Sequence, residues 1–374
     1  MSSEFLLPFG TSLNKGYVLL GILIAIYPLG QFLSTPILGQ LSDKYGRKKI
    51  LGISLLGTAM GYVLFAFAIL TKNIPLLFTS RFLDGITGGN ISIAQAMISD
   101  VSNSENRAKN FGMLGAAFGL GFIIGPFIGG KLSDPSLVSW FNSATPFYFA
   151  AILAFMNMLS VVFFIPETNK NLKQGLITWN KSLSNIKKAM NMKGINVIFL
   201  TNFLFFGGFT FFTTFFGVFL INKFNFSQNN IGNFFAYVGI WSVFTQAVLT
   251  RKLSKYFKEH QIIKYSVILG GIVMLTYFIP KYSWQIFLIP PFFSACVGLS
   301  MSNLNSLLSK DAPIDSKGEI LGIGASVQAL AQFFPAILAG FIAANFLATT
   351  PIIIASIMII SAGIVFKYFY KIDS

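Results

Sequence analysis

Arg81 and Asp84 are a pair of opposite charges set well inside an apolar stretch of this 374-residue chain. At a spacing of three they share one face of a helix. Counted from Ile74 at 1.5 Å per residue, Arg81 lies about 10 Å deep and Asp84 about 15 Å. Each would cost at least ~2.5 kcal/mol facing lipid, so both should face the interior of a helix bundle. A carboxylate there can take up and release a proton, with the arginine tuning it or pairing with it in one state only. The plain alternative is a self-neutralising structural pair. Asp84 is the candidate proton carrier and Arg81 its partner.

A second constellation is Gly39-Gln40-Leu41-Ser42-Asp43-Lys44-Tyr45-Gly46-Arg47-Lys48-Lys49. Asp43 falls at a helix C-terminus, where negative charge is unfavourable without a partner, either a cation or the N-terminal end of another helix. Lys44, Lys48 and Lys49 suit a basic loop. Gly39, Asp43, Gly46 and Arg47 have the specific spacing of a conformational latch, and Asp100 and Arg107, flanking the next loop on the same side, can join Asp43 in a charge cluster. Glycines recur every fourth position at Gly121, Gly125 and Gly129, with Pro126 and Gly130 among them. Such faces let helix backbones approach closely, and Pro126 removes a backbone hydrogen bond. Ordinary tight packing and a sliding seam that closes one side of a cavity both fit.

Other chemistries are closed off. Cys296 is the single cysteine and His260 the single histidine. No disulfide framework, no cysteine or histidine metal cage and no Ser–His dyad can be built from them. No metal or cofactor is expected.

The elements that position these residues follow from composition. Apolar residues make up 54% of the chain, charged residues 10%, and mean hydropathy is +0.70. That excludes a water-soluble enzyme or binding module. Apolar runs of bilayer length fall at about 16–39, 49–71, 74–99, 108–131, 145–165, 195–222, 229–250, 261–280, 283–308, 319–345 and 347–366. Of the 27 lysines and arginines, 21 fall in alternate gaps and the C-terminus, five in the opposite gaps and one, Arg81, within a run. The net charge of +15 is therefore a topology signal that puts the basic gaps in the cytoplasm, not a nucleic-acid footprint. The polar stretch 166–194 divides an N-terminal helical bundle, 1–165, from a C-terminal one, 195–374. It is a cytoplasmic linker whose Ile177–Met192 can form an amphipathic helix on the membrane surface.

The two halves repeat. Gln40–Tyr45 aligns with Lys252–Phe257, and Ser104–Gly112 with Ile314–Gly322. The second copy carries Lys255 in place of Asp43, and Asp315, Lys317 and Glu319 in its next loop. Glu319 suits a helix N-terminus. The same offset places the counterpart of 195–222 at about −17 to 10. Met1–Gly10 therefore reads as the outer end of a helix whose first ~18 residues are absent, in a twelve-helix parent with eleven helices visible.

At the Gly39–Lys49 motif the chain resembles the major facilitator superfamily, which carries this signature between helices 2 and 3. Arg81-Phe82-Leu83-Asp84-Gly85-Ile86-Thr87-Gly88-Gly89-Asn90 resembles the helix 4 signature of its drug:proton antiporter branch. Gly119–Gly130 resembles the helix 5 antiporter motif. The run from Arg81 to Gly130 is most similar to the tetracycline-resistance-type subfamily. The resemblance implies an all-α two-bundle membrane fold, a helix 4 arginine (Arg81) tied to proton coupling, and a relay among Asp43, Asp100 and Arg107.

Polar residues within the runs are the pocket candidates: Gln31, Asn90, Asn202, Tyr237, Trp241, Asn303 and Gln328. The phenylalanines of 195–222, Phe206, Phe212 and Phe216 among them, are expected to face lipid. No second-half run carries a deep charge, which favours a neutral or amphipathic cargo. The expected protein is a multi-pass cell-membrane transporter and not an enzyme. It would export a small apolar or amphipathic compound in exchange for protons by alternating access. A metabolite or sugar importer, or an inactive truncated transporter, are the alternatives. The expected partners are the lipid bilayer, the cargo and protons, with no nucleic acid and a monomeric chain.

Overall fold

The structure, a computed structural model, describes residues 13–102, 107–169, 172, 177–178, 181–192, 194–311 and 317–370. The expectations placed on Met1–Gly10, Ser104–Asn106, Asp315 and the side chains of Arg107, Lys317 and Glu319 lie outside the described residues.

Regular structure among the described residues is helical. The first half holds α1 (Leu13–Tyr45), α2 (Arg47–Leu70), α3 (Ile74–Thr87), a 3₁₀ turn (Gly88–Asn90), α4 (Ile91–Asp100), α5 (Arg107–Leu132) and α6 (Thr145–Phe164). The surface helix α7 (Lys181–Asn191) follows. The second half holds α8 (Ile195–Phe224), α9 (Gln228–Phe244, prolonged by a π-turn at Thr245–Thr250 and by Arg251–Leu253), α10 (Glu259–Thr276), α11 (Pro290–Asp311, preceded by a 3₁₀ turn at Ser283–Leu288), α12 (Lys317–Asn345) and α13 (Thr350–Phe369). Eight of these segments are by themselves long and apolar enough to cross a membrane. The broken pass α3–α4, α5 and α10 complete the series among the described residues.

Local sequence sets the helix ends. Asn73 caps α3, its Oδ1 accepting from the Leu76 N–H at 3.0 Å, and Pro75 stands in the first turn. Ser227 caps α9 through the Asn230 N–H. Asn225 ends α8 in the left-handed conformation, φ 53°. α1 runs through the whole Gly39–Tyr45 motif, further than hydropathy alone indicates, and only Gly46 separates it from α2. The stretch 74–99 is not one continuous helix. Gly88 and Gly89 break it where they press on the Tyr27 hydroxyl and on Ser34 and Thr35 of α1.

In the first half α1 packs on α3, and α2 on α3 and α6. In the second, α8 packs on α12 and α13, and α10 on α11 and α13. Across the halves α1 meets α12 and α5 meets α9. Two glycine crossings allow this. A Cβ on Gly21 would lie 2.8 Å from the Gly340 Cα, and one on Gly232 would lie 3.1 Å from the Gly130 Cα and 2.8 Å from the Pro126 carbonyl. Both crossings lie at the end opposite the lysine-rich gaps.

Most phenylalanines of α8, Phe206, Phe212 and Phe216 among them, do not face lipid. Phe205, Phe206, Phe211, Phe212, Phe215, Phe216 and Phe219 are all buried in the second-half core. Hydropathy cannot separate a lipid-facing from a helix-facing phenylalanine, because both surroundings are apolar. Packing decides it: Phe212 stacks on Phe216 with centroids 4.4 Å apart and approaches Phe293 at 5.0 Å.

Candidate functional site

The short helix α3 places Arg81 and Asp84 on one face, as their spacing requires. Arg81 Nη1 contacts Asp84 Oδ2 at 2.8 Å; the Asp84 side chain is 2% exposed and that of Arg81 23%. Asp84 Oδ1 is buried without a hydrogen-bond partner among the described residues. The guanidinium lies over the Tyr27 ring at 4.5 Å and the Phe65 ring at 5.6 Å, so its charge is held against two aromatic faces. Gln31 Nε2 donates to the Tyr27 hydroxyl and to the Gly88 carbonyl, both at 3.1 Å. It thereby ties α1 to the break in the α3–α4 pass, and half-buried Asn90 closes that break.

The backbones around the pair meet closely because glycines line them. A Cβ on Gly85 would fall 2.3 Å from the Tyr27 carbonyl oxygen, and one on Gly61 would fall 3.0 Å from the Asp84 Cβ. Tyr27, Phe65 and Gly61 were missed by sequence reasoning. Tyr27, a tyrosine mid-way along an apolar run, carried a usable signal. Phe65 and Gly61 carried none that distinguishes them from their neighbours.

At the lysine-rich end the latch residues come together. Arg47 Nη1 contacts Asp43 Oδ1 at 2.6 Å, and Arg47 Nε contacts Asp100 Oδ2 at 3.3 Å. Arg47 also donates to Ser42 Oγ at 2.7 Å. Asp43, at the C-terminal end of α1, thus finds the cation that its position demands. Three residues past the end of α6 complete the cluster. Thr168 Oγ1 donates to Asp100 at 3.0 Å, and Asn169 Nδ2 to the Asp43 carbonyl at 3.1 Å. Glu167 accepts from the backbone N–H groups of Arg47 and Asn169, each at 2.9 Å, and of Lys48 at 3.0 Å. Partial burial raises its pKa, but these N–H donors outweigh that and hold the carboxyl below the usual glutamate range.

Gly46 is needed twice over: its φ is +100°, and a Cβ would fall 2.6 Å from Glu167 Oε2. Gly39 is not needed for packing, since a Cβ there would approach nothing nearer than Ser92 Oγ at 4.0 Å. The Arg107 side chain lies outside the described residues. Glu167 was missed in sequence; a lone acid before a lysine-rich linker is its only trace there.

The glycine motif of α5 divides. Gly130, with the Pro126 carbonyl, makes the close crossing with Gly232. A Cβ on Gly121, Gly125 or Gly129 would meet nothing within 4 Å among the described residues. The crossing is therefore made by the Pro126–Gly130 face and not by the Gly121–Gly125–Gly129 face, since Gly129 adjoins Gly130 and still approaches nothing among the described residues. Next to that crossing Asp134 Oδ1 accepts from the Ser136 N–H at 3.0 Å and from the Ser136 hydroxyl at 2.7 Å. These bonds, Ser136 first and joined by Lys131, hold its carboxyl below the usual range.

In the second half, Tyr237 and Trp241 lie edge to face with centroids 6.3 Å apart, and Tyr237 reaches Phe287 at 5.6 Å. The Trp241 Nε1 and Asn202 Oδ1 atoms are buried without partners among the described residues. Asn303 donates to the Leu299 carbonyl of its own helix at 2.7 Å, a satisfied structural role. Gln328 is half-buried on α12. No cluster of metal-ligating residues occurs among the described residues.

The sequence profile of the Major Facilitator Superfamily matches residues 4–336. The class H tetracycline resistance protein of Pasteurella multocida is 32% identical over 334 residues, covering 86% of this chain and 78% of that protein. The quinolone resistance protein NorA of Staphylococcus aureus (strain MRSA252) is 30% identical, covering 86% and 80%. Two solved structures share the fold. The human organic anion transporter MFSD10 has a TM-score of 0.74 at 21% identity, covering 98% of this chain and 87% of that one. The xylose transporter XylE of Escherichia coli, in a partially occluded inward-open conformation, has 0.77 at 17%, covering 98% and 90%. With its helical passes, this match makes the chain a multi-pass cell-membrane transporter and not an enzyme: it belongs to the Major Facilitator Superfamily.

Proposed function

We propose that the chain exports a small apolar or amphipathic compound in exchange for protons. The observation that carries this reading is the Arg81–Asp84 pair. It is buried against Tyr27 and Phe65, and one carboxylate oxygen is unpartnered. An ionised Asp84 holds Arg81. A protonated Asp84 loses most of that attraction and frees the guanidinium. The likeness to tetracycline and quinolone resistance proteins supports export and an organic cargo. The Tyr237–Trp241 face, with the buried Trp241 N–H, offers an aromatic surface and one donor. Gln31, Asn90, Asn202 and Gln328 are the further pocket candidates.

With the lysine-rich end in the cytoplasm, the glycine crossings lie at the outer end and represent the inward-facing arm of an alternating-access cycle. The Asp43–Arg47–Asp100 latch holds α1, α2 and α4 in register on the inner side. A proton entering down 100 mV supplies about 2.3 kcal/mol to drive the cycle. In proteoliposomes, Asp84→Asn should abolish export driven by a pH gradient yet spare cargo exchange without one. Unchanged proton coupling in that variant removes Asp84 from the mechanism. A cargo panel run in everted vesicles, with and without the gradient, tests the direction.

A further inference from the structure

We propose that α7 is a docking surface for anionic lipid headgroups, which holds the linker in the interfacial layer beside the two bundles. This rests on membrane location and not on the cargo or the coupling ion. α7 packs against α12, α1 and α8. Asn185 donates to Ser326 Oγ of α12 at 3.4 Å, and the backbone of Thr178, just before the helix, exchanges hydrogen bonds with the Gln40 side chain of α1.

At about 100° per residue the helix divides into three sectors. Asn185 and Ala189 are buried against the bundles, with half-buried Ile186 beside them. Leu183, Lys187 and Met190 fall within about 60° of one another. Leu183 is 66% exposed and Met190 73%. Ser184, Lys188 and Asn191 form a third, polar and exposed sector. A linker helix projecting into water needs two sectors, one buried and one polar. An exposed apolar sector between them, with a lysine on it, is the pattern of a helix lying in the headgroup layer with its lysine stem snorkelling.

Charge selects the partner. Between Thr168 and Gly194 the sequence holds six lysines and no acid. Each lysine near an anionic surface shifts partitioning about fivefold. A zwitterionic surface offers the apolar sector a place but gives the lysines no such gain.

The test uses the full chain with Cys296→Ala, carrying one introduced cysteine at a time at Leu183, Met190, Ser184 or Asn191, each labelled with a fluorophore. The protein is reconstituted in phosphatidylcholine, or in phosphatidylcholine with phosphatidylglycerol, each doped with lipids bearing a nitroxide near the glycerol. Labels at 183 and 190 should be quenched, more strongly with phosphatidylglycerol, and labels at 184 and 191 should not. Lys187→Glu should reduce the phosphatidylglycerol gain by about fivefold or more, and high salt should reduce it in the unsubstituted helix, where folding is not in question. Unquenched labels at 183 and 190, as expected if that face instead meets water or a soluble protein, overturn the proposal. So does equal quenching at all four positions, or equal quenching in the two bilayers.

Discussion

Glu259 stands in the second half where Arg47 stands in the first, and the two carry opposite charges. Each opens a helix at the lysine-rich end and reaches across to the end of another pass. Arg47 pairs with Asp100 of α4, and Glu259 with Lys310 of α11. The repeat thus preserves a crossbrace and reverses its polarity, in line with Lys255 replacing Asp43.

The two braces should differ in strength. Arg47 is 13% exposed and also bonds Asp43 and Ser42, whereas the Lys310 side chain is 62% exposed. An exposed pair contributes about 0.2–1 kcal/mol, and a hydrogen bond to a charged group about 1.5–3 kcal/mol. Arg47→Gln should therefore lower the unfolding temperature in detergent clearly more than Lys310→Gln does. Glu259→Gln, which also gives up the Ser306 hydrogen bond and a negative charge in the first turn of α10, should cost at least as much as Lys310→Gln. Equal losses from Arg47→Gln and Lys310→Gln would show that the first-half cluster is no stronger than a surface pair.

Glycine substitutions separate packing from sequence pattern. Gly85→Ala drives a Cβ into the Tyr27 carbonyl oxygen, a backbone atom that cannot step aside. It should cost at least about 1–3 kcal/mol. Gly121→Ala enters open space and should be neutral or stabilising by up to about 1 kcal/mol. Thermal unfolding of the two purified variants checks the order. A loss of transport in Gly121→Ala at unchanged stability would place that glycine's close contact in the other conformation.

Glu167 gives the start of α2, beside the Asp43–Arg47–Asp100 cluster, a pH dependence of known sign. Its carboxyl is held below the usual glutamate range by the N–H groups at the start of α2. Its contribution is fully present above the ordinary glutamate pKa and is lost as pH falls through the lowered one. Amide protection over residues 46–50, with exchange rates corrected for their intrinsic pH dependence, should therefore hold through mildly acidic pH and fall only in stronger acid. In Glu167→Gln protection should be lower at neutral pH and show no such acid step. A wild-type profile that is flat into strong acid would count against the bond network as the cause.

How much of this was legible beforehand depended on the kind of signal. The passes, the Arg81–Asp84 face and the Asp43–Arg47–Asp100 cluster follow from hydropathy, from helical spacing and from the cost of unpaired charge at a helix end. The Arg81–Asp84 and Asp43–Arg47 spacings are local in sequence, whereas Asp100 lies 53 residues from Arg47 and was legible only because both loops fall on the lysine-rich side. Glu167 is more than a hundred residues from the helix it caps, and Tyr27 reaches Arg81 from another pass, so no spacing rule finds them. The phenylalanines of α8 misled because apolar side chains suit lipid and protein interior equally. Gly121 and Gly125 misled because a glycine repeat records that a close approach is possible, not where on the helix it occurs.

The outer closure yields the last prediction. Gly232 fits between the Pro126 carbonyl and the Gly130 Cα. That crossing should decide how closely the ends approach. Gly232→Val puts branched carbons against backbone, and α5 can only move away. Spin labels at Leu137 and Trp284, both in exposed segments at that end, should report a longer distance in Gly232→Val than in the unsubstituted protein. Transport should be lost and the unfolding temperature should fall as well, because α9 gives up part of its packing on α5 and keeps only that on α11. Gly121→Val, far from the crossing, should leave the distance unchanged. If Gly232→Val leaves it unchanged as well, the crossing does not govern closure, and the α1–α12 contact at Gly21 and Gly340 must bear it alone.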